Sequence, residues 1–238
     1  MNKLDQPKEF KNSLSLLASF LFIASNFIFG MAVYIFLKIT GHLLNFSLDK
    51  NYFLFLTEFL TNFVMCAVLL WVSVSRLGIT LNPPELKKEI FKGLKLSLPF
   101  TLFYFVVLTT LYYLKAPSFG FEIFENSILI SILEDIFKKK DLILFLVIFI
   151  NMCIFTPLKE EILIRRFLYV SLRKKSSFFL STLLSSLLFC LIHGNLIMAF
   201  VYSVIASYLY EKHGDLKINI VMHAIINFLI ICIFLAVR

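Results

Sequence analysis

Residues 14–37 read LSLLASFLFIASNFIFGMAVYIFL, 24 positions without a single charge. About 20 consecutive apolar residues are enough to cross a bilayer as a helix, so this stretch predicts a spanning segment. A signal-peptide core is about 7–15 residues long and ends at a small-residue cleavage site. The present run is longer and lacks a convincing site, so an uncleaved first helix is expected. Six further apolar runs follow: Tyr52–Ser75 (interrupted by Glu58), Leu96–Leu114, Leu142–Leu158, Ser176–Ile192, Gly194–Tyr210 and Ile218–Val237. Several are only 17 residues long, the short end of what spans, so the expected architecture is an all-α, polytopic transmembrane helical bundle of about seven (six to eight) spans.

Composition agrees. Of the 238 residues, 60 % are hydrophobic and 16 % charged, more apolar surface than a soluble domain of this length can bury. The excess must face membrane lipids. The 29 Phe against 7 Gly and 6 Pro exclude a disordered or collagen-like chain. A net charge of +8 would suit nucleic acid, but no Lys/Arg cluster is interleaved with aromatics in a polar domain. Basic residues gathering in cytoplasmic loops explain the charge better, and no nucleic-acid partner is expected. With the N-terminus inside, the cytoplasmic stretches 1–13, 74–95, 165–176 and 211–217 hold 15 Lys and Arg against 7 on the other side, which favours a cytoplasmic N-terminus. The four cysteines (Cys66, Cys153, Cys190 and Cys232) lie inside apolar runs with no CxxC pair, so neither a disulfide nor a thiolate metal site is expected.

The chain divides by character. Residues 1–115 form N-terminal transmembrane helices with few polar groups, and 116–141 form a connecting segment. In that connection Phe121, Phe124, Ile128, Ile132 and Ile136 recur three or four apart, with Glu122, Glu125, Glu134 and Asp135 mostly elsewhere. An interfacial amphipathic helix and an irregular loop both fit this pattern. Residues 142–238 carry nearly all the intramembrane polar groups.

Ionisable side chains within a span cost at least about 2.5–3.5 kcal/mol each, and they persist where they are paired, wet or working. In Pro157-Leu-Lys-Glu-Glu-Ile-Leu-Ile-Arg165, Glu161 and Arg165 are i,i+4 and share a face as an ion pair, while Glu160 turns about 100° away. Either this is a charge cluster where the helix leaves lipid, or Arg165 is held by one Glu while the other is free to take a proton. His193 follows Phe189 by one turn. If a helical hairpin turns at Ser176-Ser177, with the fourth helix continuing to about Arg173, Glu160 and His193 lie level. His223 and Asn227 are i,i+4 on an otherwise apolar helix and need partners from other helices. Glu211-Lys-His-Gly-Asp215 reads as a charged turn between spans. A carboxylate base, two imidazoles and an amide donor suffice for amide hydrolysis. No GxSxG or HExxH motif and no convincing Ser/Lys dyad supports serine or zincin chemistry.

The order Glu-Glu-x-x-x-Arg, Phe-x-x-x-His, His-x-x-x-Asn across residues 142–231 resembles the CAAX protease and bacteriocin-processing (CPBP, or Abi) family, which includes the type II CAAX prenyl endopeptidases. The resemblance implies an all-helical intramembrane endopeptidase, with 142–238 as its catalytic core. It implies that Glu160 activates water with help from His193, that His223 and Asn227 form the oxyanion site, and that Glu161 and Arg165 support them. Where the family often has Gly after the motif Arg, this chain has Arg166. No cofactor is expected. The alternative is a divalent metal such as zinc held by Glu160, His193 and His223 with a water in the open position, though a metal-free glutamate mechanism uses all four residues.

Two other classes compete with a peptidase. A proton-coupled transporter would use a Glu/His relay, but the sequence lacks paired Gly/Pro-broken helices and inverted repeats. A catalytically silent membrane immunity or scaffold protein of the same family would need the packing and not the site. The expected partner is a peptide or protein substrate, either a prenylated protein or a bacteriocin-like or signal peptide. The Ile/Lys/Asn/Phe-rich composition points to an AT-rich prokaryotic genome, where prenylation is not expected, and so to a prokaryotic cell membrane.

Overall fold

A computed structural model describes residues 12–45, 49–78, 83–113, 133, 136, 138, 141–193 and 196–236. Among them there are seven helices and no strand: α1 Leu16–Leu43, α2 Lys50–Leu77, α3 Pro83–Tyr113, α4 Leu142–Arg173, α5 Phe178–Leu191, α6 Leu196–His213 and α7 Leu216–Ala236. Three of these, α1, α2 and α4, are long and apolar enough to cross a membrane. Helix α5 and the stretch Leu216–Cys232 of α7 are shorter apolar helices. Leu17, Ile28 and Phe36 of α1 and Ile143 of α4 are exposed, which suits helices whose outer faces meet lipid. The chain is an integral membrane protein.

Helix ends follow local chemistry. Ser15, Asp49, Asp141 and Ser177 each accept a hydrogen from a first-turn backbone N–H, meeting donors that a helix start leaves unpaired. Gly78 and Gly214 take positive φ (66° and 64°) just past α2 and α6, which glycine does without strain. The turn expected around Gly214 and Asp215 is therefore present, with Asp215 Oδ1 accepting from Lys217 N. Glu211, expected in that turn, instead sits in α6 and braces α4, binding Tyr169 Oη at 2.7 Å and Arg173 Nε at 2.9 Å.

The bundle closes around α4. One buried cluster takes Ile23 of α1, Leu69 of α2, Ile164 and Phe167 of α4, Phe189 of α5, Ala206 of α6 and Met222 of α7, so it draws on helices from both sides of residue 115. A second holds Phe55, Leu133, Ile136 and Ile148. Most of the expected amphipathic segment 121–137 lies outside the described residues. Helix α7 also packs closely on α3, where a Cβ on Gly93 would stand 3.3 Å from Ile218 Cα.

Helix α4 is not a uniform α-helix. Its turns widen to π geometry over Asn151–Phe155 and Ile162–Tyr169, on either side of Thr156–Glu161. Pro157 lacks an N–H and cannot serve the carbonyl one turn before it. Neighbouring side chains bind carbonyls in this helix: Asn227 Nδ2 donates to Met152 O at 2.8 Å and Cys66 Sγ to Phe155 O at 3.2 Å. Within lipid such groups need internal partners, because no water replaces them. At the second wide segment the hydroxyls of Ser19 and Ser171 are 2.8 Å apart, and both lie within reach of Phe167 O, at 3.0 and 2.6 Å. This joint clamps α1 to α4. Ser19→Ala is expected to lower stability by about 0.6–1.7 kcal/mol, the range measured for interhelical hydrogen bonds in membranes, as read from SDS unfolding midpoints.

Arg165 and Arg166, counted above among the cytoplasmic cations, are buried side chains of α4. Removing these 2 leaves 13 against 7, so the charge bias keeps its sign. Arg166, in place of the expected small residue, is accommodated by reaching toward the N-terminal segment, where its Nη2 donates to Asn12 O at 2.7 Å.

Candidate active site

Helix α4 presents two adjacent carboxylates with different surroundings. Glu161 is fully buried, and its Oε2 lies 3.3 Å from Arg165 Nε, the i,i+4 pair expected from the spacing. Its other oxygen, Oε1, accepts from Tyr202 Oη at 2.9 Å and from His223 Nδ1 at 3.1 Å. The Arg165 guanidinium stacks over Phe189 at 4.8 Å and stands 5.6 Å from the Tyr202 ring. Glu161 thus acts as a hub, receiving hydrogens from α6 and α7 while neutralising a cation buried on its own helix.

Glu160 is not left unaccompanied. His193 Nε2 lies 3.3 Å from its Oε2, and His223 Nε2 lies 3.8 Å from the same atom. The level placement of Glu160 and His193 expected from a hairpin is what the α4–α5 connection produces. His193 follows the end of α5, where its N–H bonds Cys190 O and its Nδ1 lies 2.7 Å from Phe189 O. Carbonyls at a helix C-terminus lack partners within the helix, and the His193 ring meets this one.

That bond also fixes the chemistry of the ring. A carbonyl only accepts, so His193 Nδ1 carries the hydrogen and the neutral ring turns its Nε2 lone pair toward Glu160. His223 has the same arrangement, with Nδ1–H given to the Glu161 carboxylate. Two imidazole Nε2 atoms therefore converge on one carboxylate oxygen, and Glu160 Oε2 receives no aligned hydrogen bond from any described residue. Lone pairs facing one another at this range call for a shared proton or a water donating to both.

Asn227 is one turn beyond His223 on α7, but its amide is partly committed: one N–H is given to Met152 O. The second N–H is not used by that bond. Among the described residues no group of three His, Cys, Asp or Glu side chains is arranged to hold a cation.

Tyr202 was not singled out by the sequence, because a tyrosine in an apolar helix carries no distinctive pattern. A polar cluster beside Glu160 was missed too. Asn62 Oδ1 accepts from Lys159 Nζ at 2.6 Å, and Asn62 Nδ2 donates to Asn151 Oδ1 at 3.0 Å and Thr156 Oγ1 at 3.1 Å. Asn151 Nδ2 in turn donates to Glu58 Oε1 at 3.3 Å. Glu58 and Asn62 are i,i+4 within a span, the same signal that drew attention to His223 and Asn227.

Residues 142–229 match the family model described as type II CAAX prenyl endopeptidase Rce1-like. No curated protein and no solved structure matches the chain.

Proposed function

Because residues 142–229 belong to the CAAX protease family as an Rce1-like domain, we propose that the chain is an intramembrane endopeptidase in which Glu160 activates water. The observation that carries this is the convergence of His193 Nε2 and His223 Nε2 on Glu160 Oε2. A water seated there donates one hydrogen to Glu160 and the other to His193. Its oxygen attacks the scissile carbonyl carbon as Glu160 takes the proton, and that proton passes to the departing amine.

The carbonyl oxygen becomes an oxyanion and needs donors. Asn227 supplies its second N–H. His223 supplies Nε2–H when its ring is protonated at both nitrogens, with the charge offset by Glu161 at Nδ1. Glu161 and Arg165 hold that ring in place and are supporting residues. No metal takes part in this scheme, and residues 142–238 are its catalytic core.

The substrate class is a membrane-associated peptide or protein, either a prenylated protein or a bacteriocin-like or signal peptide. The N-terminus is cytoplasmic by the 13 to 7 charge bias. Purified protein in detergent is expected to cleave such a peptide and the Glu160→Gln variant is not; full activity in that variant would overturn the mechanism. Asn227→Ala is expected to lower kcat by about 10²–10³-fold with little change in KM, as for loss of one oxyanion donor. A fall in unfolding temperature with unchanged kcat would reduce Asn227 to a brace for the Met152 carbonyl.

A further inference from the structure

The family match begins at residue 142, and α1 lies wholly outside it. Yet α1 walls a cleft that reaches Glu160. Ile23, Asn26 and Phe27 of α1 face Lys159, Glu160, Leu163 and Ile164 of α4, with Ile192 at the rim. The cleft itself holds about 30 Å³, room for about one water, so a peptide would lie across its mouth.

The register has a cause. Helices α1 and α4 run antiparallel and are clamped where Ser19 meets Phe167 O. Two helical turns onward along α1 is Asn26, and two turns back along α4 is Glu160, so the clamp sets Asn26 opposite the carboxylate.

Asn26 Oδ1 is shut away from solvent and receives no hydrogen bond from any described residue. A buried amide oxygen left unpaired is costly, and Asn26 lines the same cleft as Glu160, the proposed base. The mouth of the cleft is apolar and outward-facing, since Phe27 is 56 % and Ile192 42 % exposed.

We propose that Asn26 binds substrate backbone, its Oδ1 accepting a peptide N–H next to the scissile bond of an extended chain that enters from the lipid side between α1 and α4. The exposed Phe27 and Ile192 at the mouth then flank that residue, so the enzyme selects an apolar residue there. This rests on the peptidase reading above. It places part of the specificity in a helix outside the family match.

The test uses the full-length protein in nanodiscs with a panel of lipid-anchored decapeptides, and the best-cleaved member serves as parent. A second set carries a single backbone N-methyl at each position around the cut. One N-methyl position is expected to raise KM about tenfold, the equivalent of one hydrogen bond, with kcat nearly unchanged. Asn26→Ala should raise KM on the parent by a similar factor and gain no further loss from that N-methyl. Phe27→Trp, at an exposed position, should raise KM for Leu-flanked peptides more than for Ala-flanked ones. An unchanged KM in Asn26→Ala, or N-methyl and Asn26→Ala effects that multiply, would overturn the assignment while loss of cleavage in Glu160→Gln still upheld the peptidase. If wild type cuts no member of the panel, or Glu160→Gln cuts as well as wild type, the peptidase reading falls and this one with it.

Discussion

Glu160→Gln is expected to lower kcat on a membrane-associated peptide by about 10²–10⁴-fold, the contribution of a positioned general base. Gln keeps the shape of Glu and its capacity to hydrogen-bond, but it cannot take the proton of an attacking water. The local geometry separates this from a loss of folding. Among the described residues Glu160 Oε2 has no aligned hydrogen bond to lose, and two imidazole Nε2 atoms face it at 3.3 and 3.8 Å. An amide there would donate to those lone pairs, so the unfolding temperature should hold or rise. Purified variants compared by peptide cleavage and thermal unfolding decide the matter. Activity within tenfold of wild type removes Glu160 as the base, and activity lost together with the fold would make it a structural group.

Glu161→Gln should fail differently, by about 3–5 kcal/mol of stability, the cost of leaving a buried charge without its partner. Both side chains of the Glu161–Arg165 pair are inaccessible, and none of the three guanidinium nitrogens has an aligned hydrogen bond among the described residues. With the carboxylate gone, the stacking on Phe189 and Tyr202 is all the described residues offer that cation. Changing both residues, Glu161→Gln with Arg165→Met, should recover much of the loss, since apolar replacement of a buried pair is often neutral. A single-variant loss under about 1 kcal/mol by SDS unfolding would show that water or lipid headgroups already screen the pair.

What could be read from sequence followed a physical divide. Helices declare themselves through runs of apolar residues, and the seven runs correspond to α1–α7 even though α5 shrinks to Phe178–Leu191 and α3 begins at Pro83. Groups paired within one helix were also legible, because Glu161 and Arg165 need only the i,i+4 rule. The meeting of Glu160 with His193 required one added idea, a hairpin of known turn position. Nothing in the linear pattern marked the π geometry of α4, the commitment of Asn227 to Met152 O, or the approach of Asn26. Each depends on which helix lies beside which, and non-local packing leaves no period in the chain. Glu58 and Asn62 were legible in principle, but Glu58 looked like a mere interruption of an apolar run.

The uneven character of α4 bears on how the protein is made. Its first half, Leu142–Leu158, is free of charge and can leave the translocon for lipid unaided. Its second half carries Lys159, Glu160, Glu161, Arg165 and Arg166, which no single helix could take into a bilayer alone. Partners for Lys159 and Arg166 are already synthesised, on α2 and next to α1, and Glu161 has Arg165 on its own helix, whereas the partners of Glu160 and the hydrogen-bond donors to Glu161 arrive with α5, α6 and α7. The second half of the helix that bears the site is therefore expected to settle in the bilayer only with the helices that follow it.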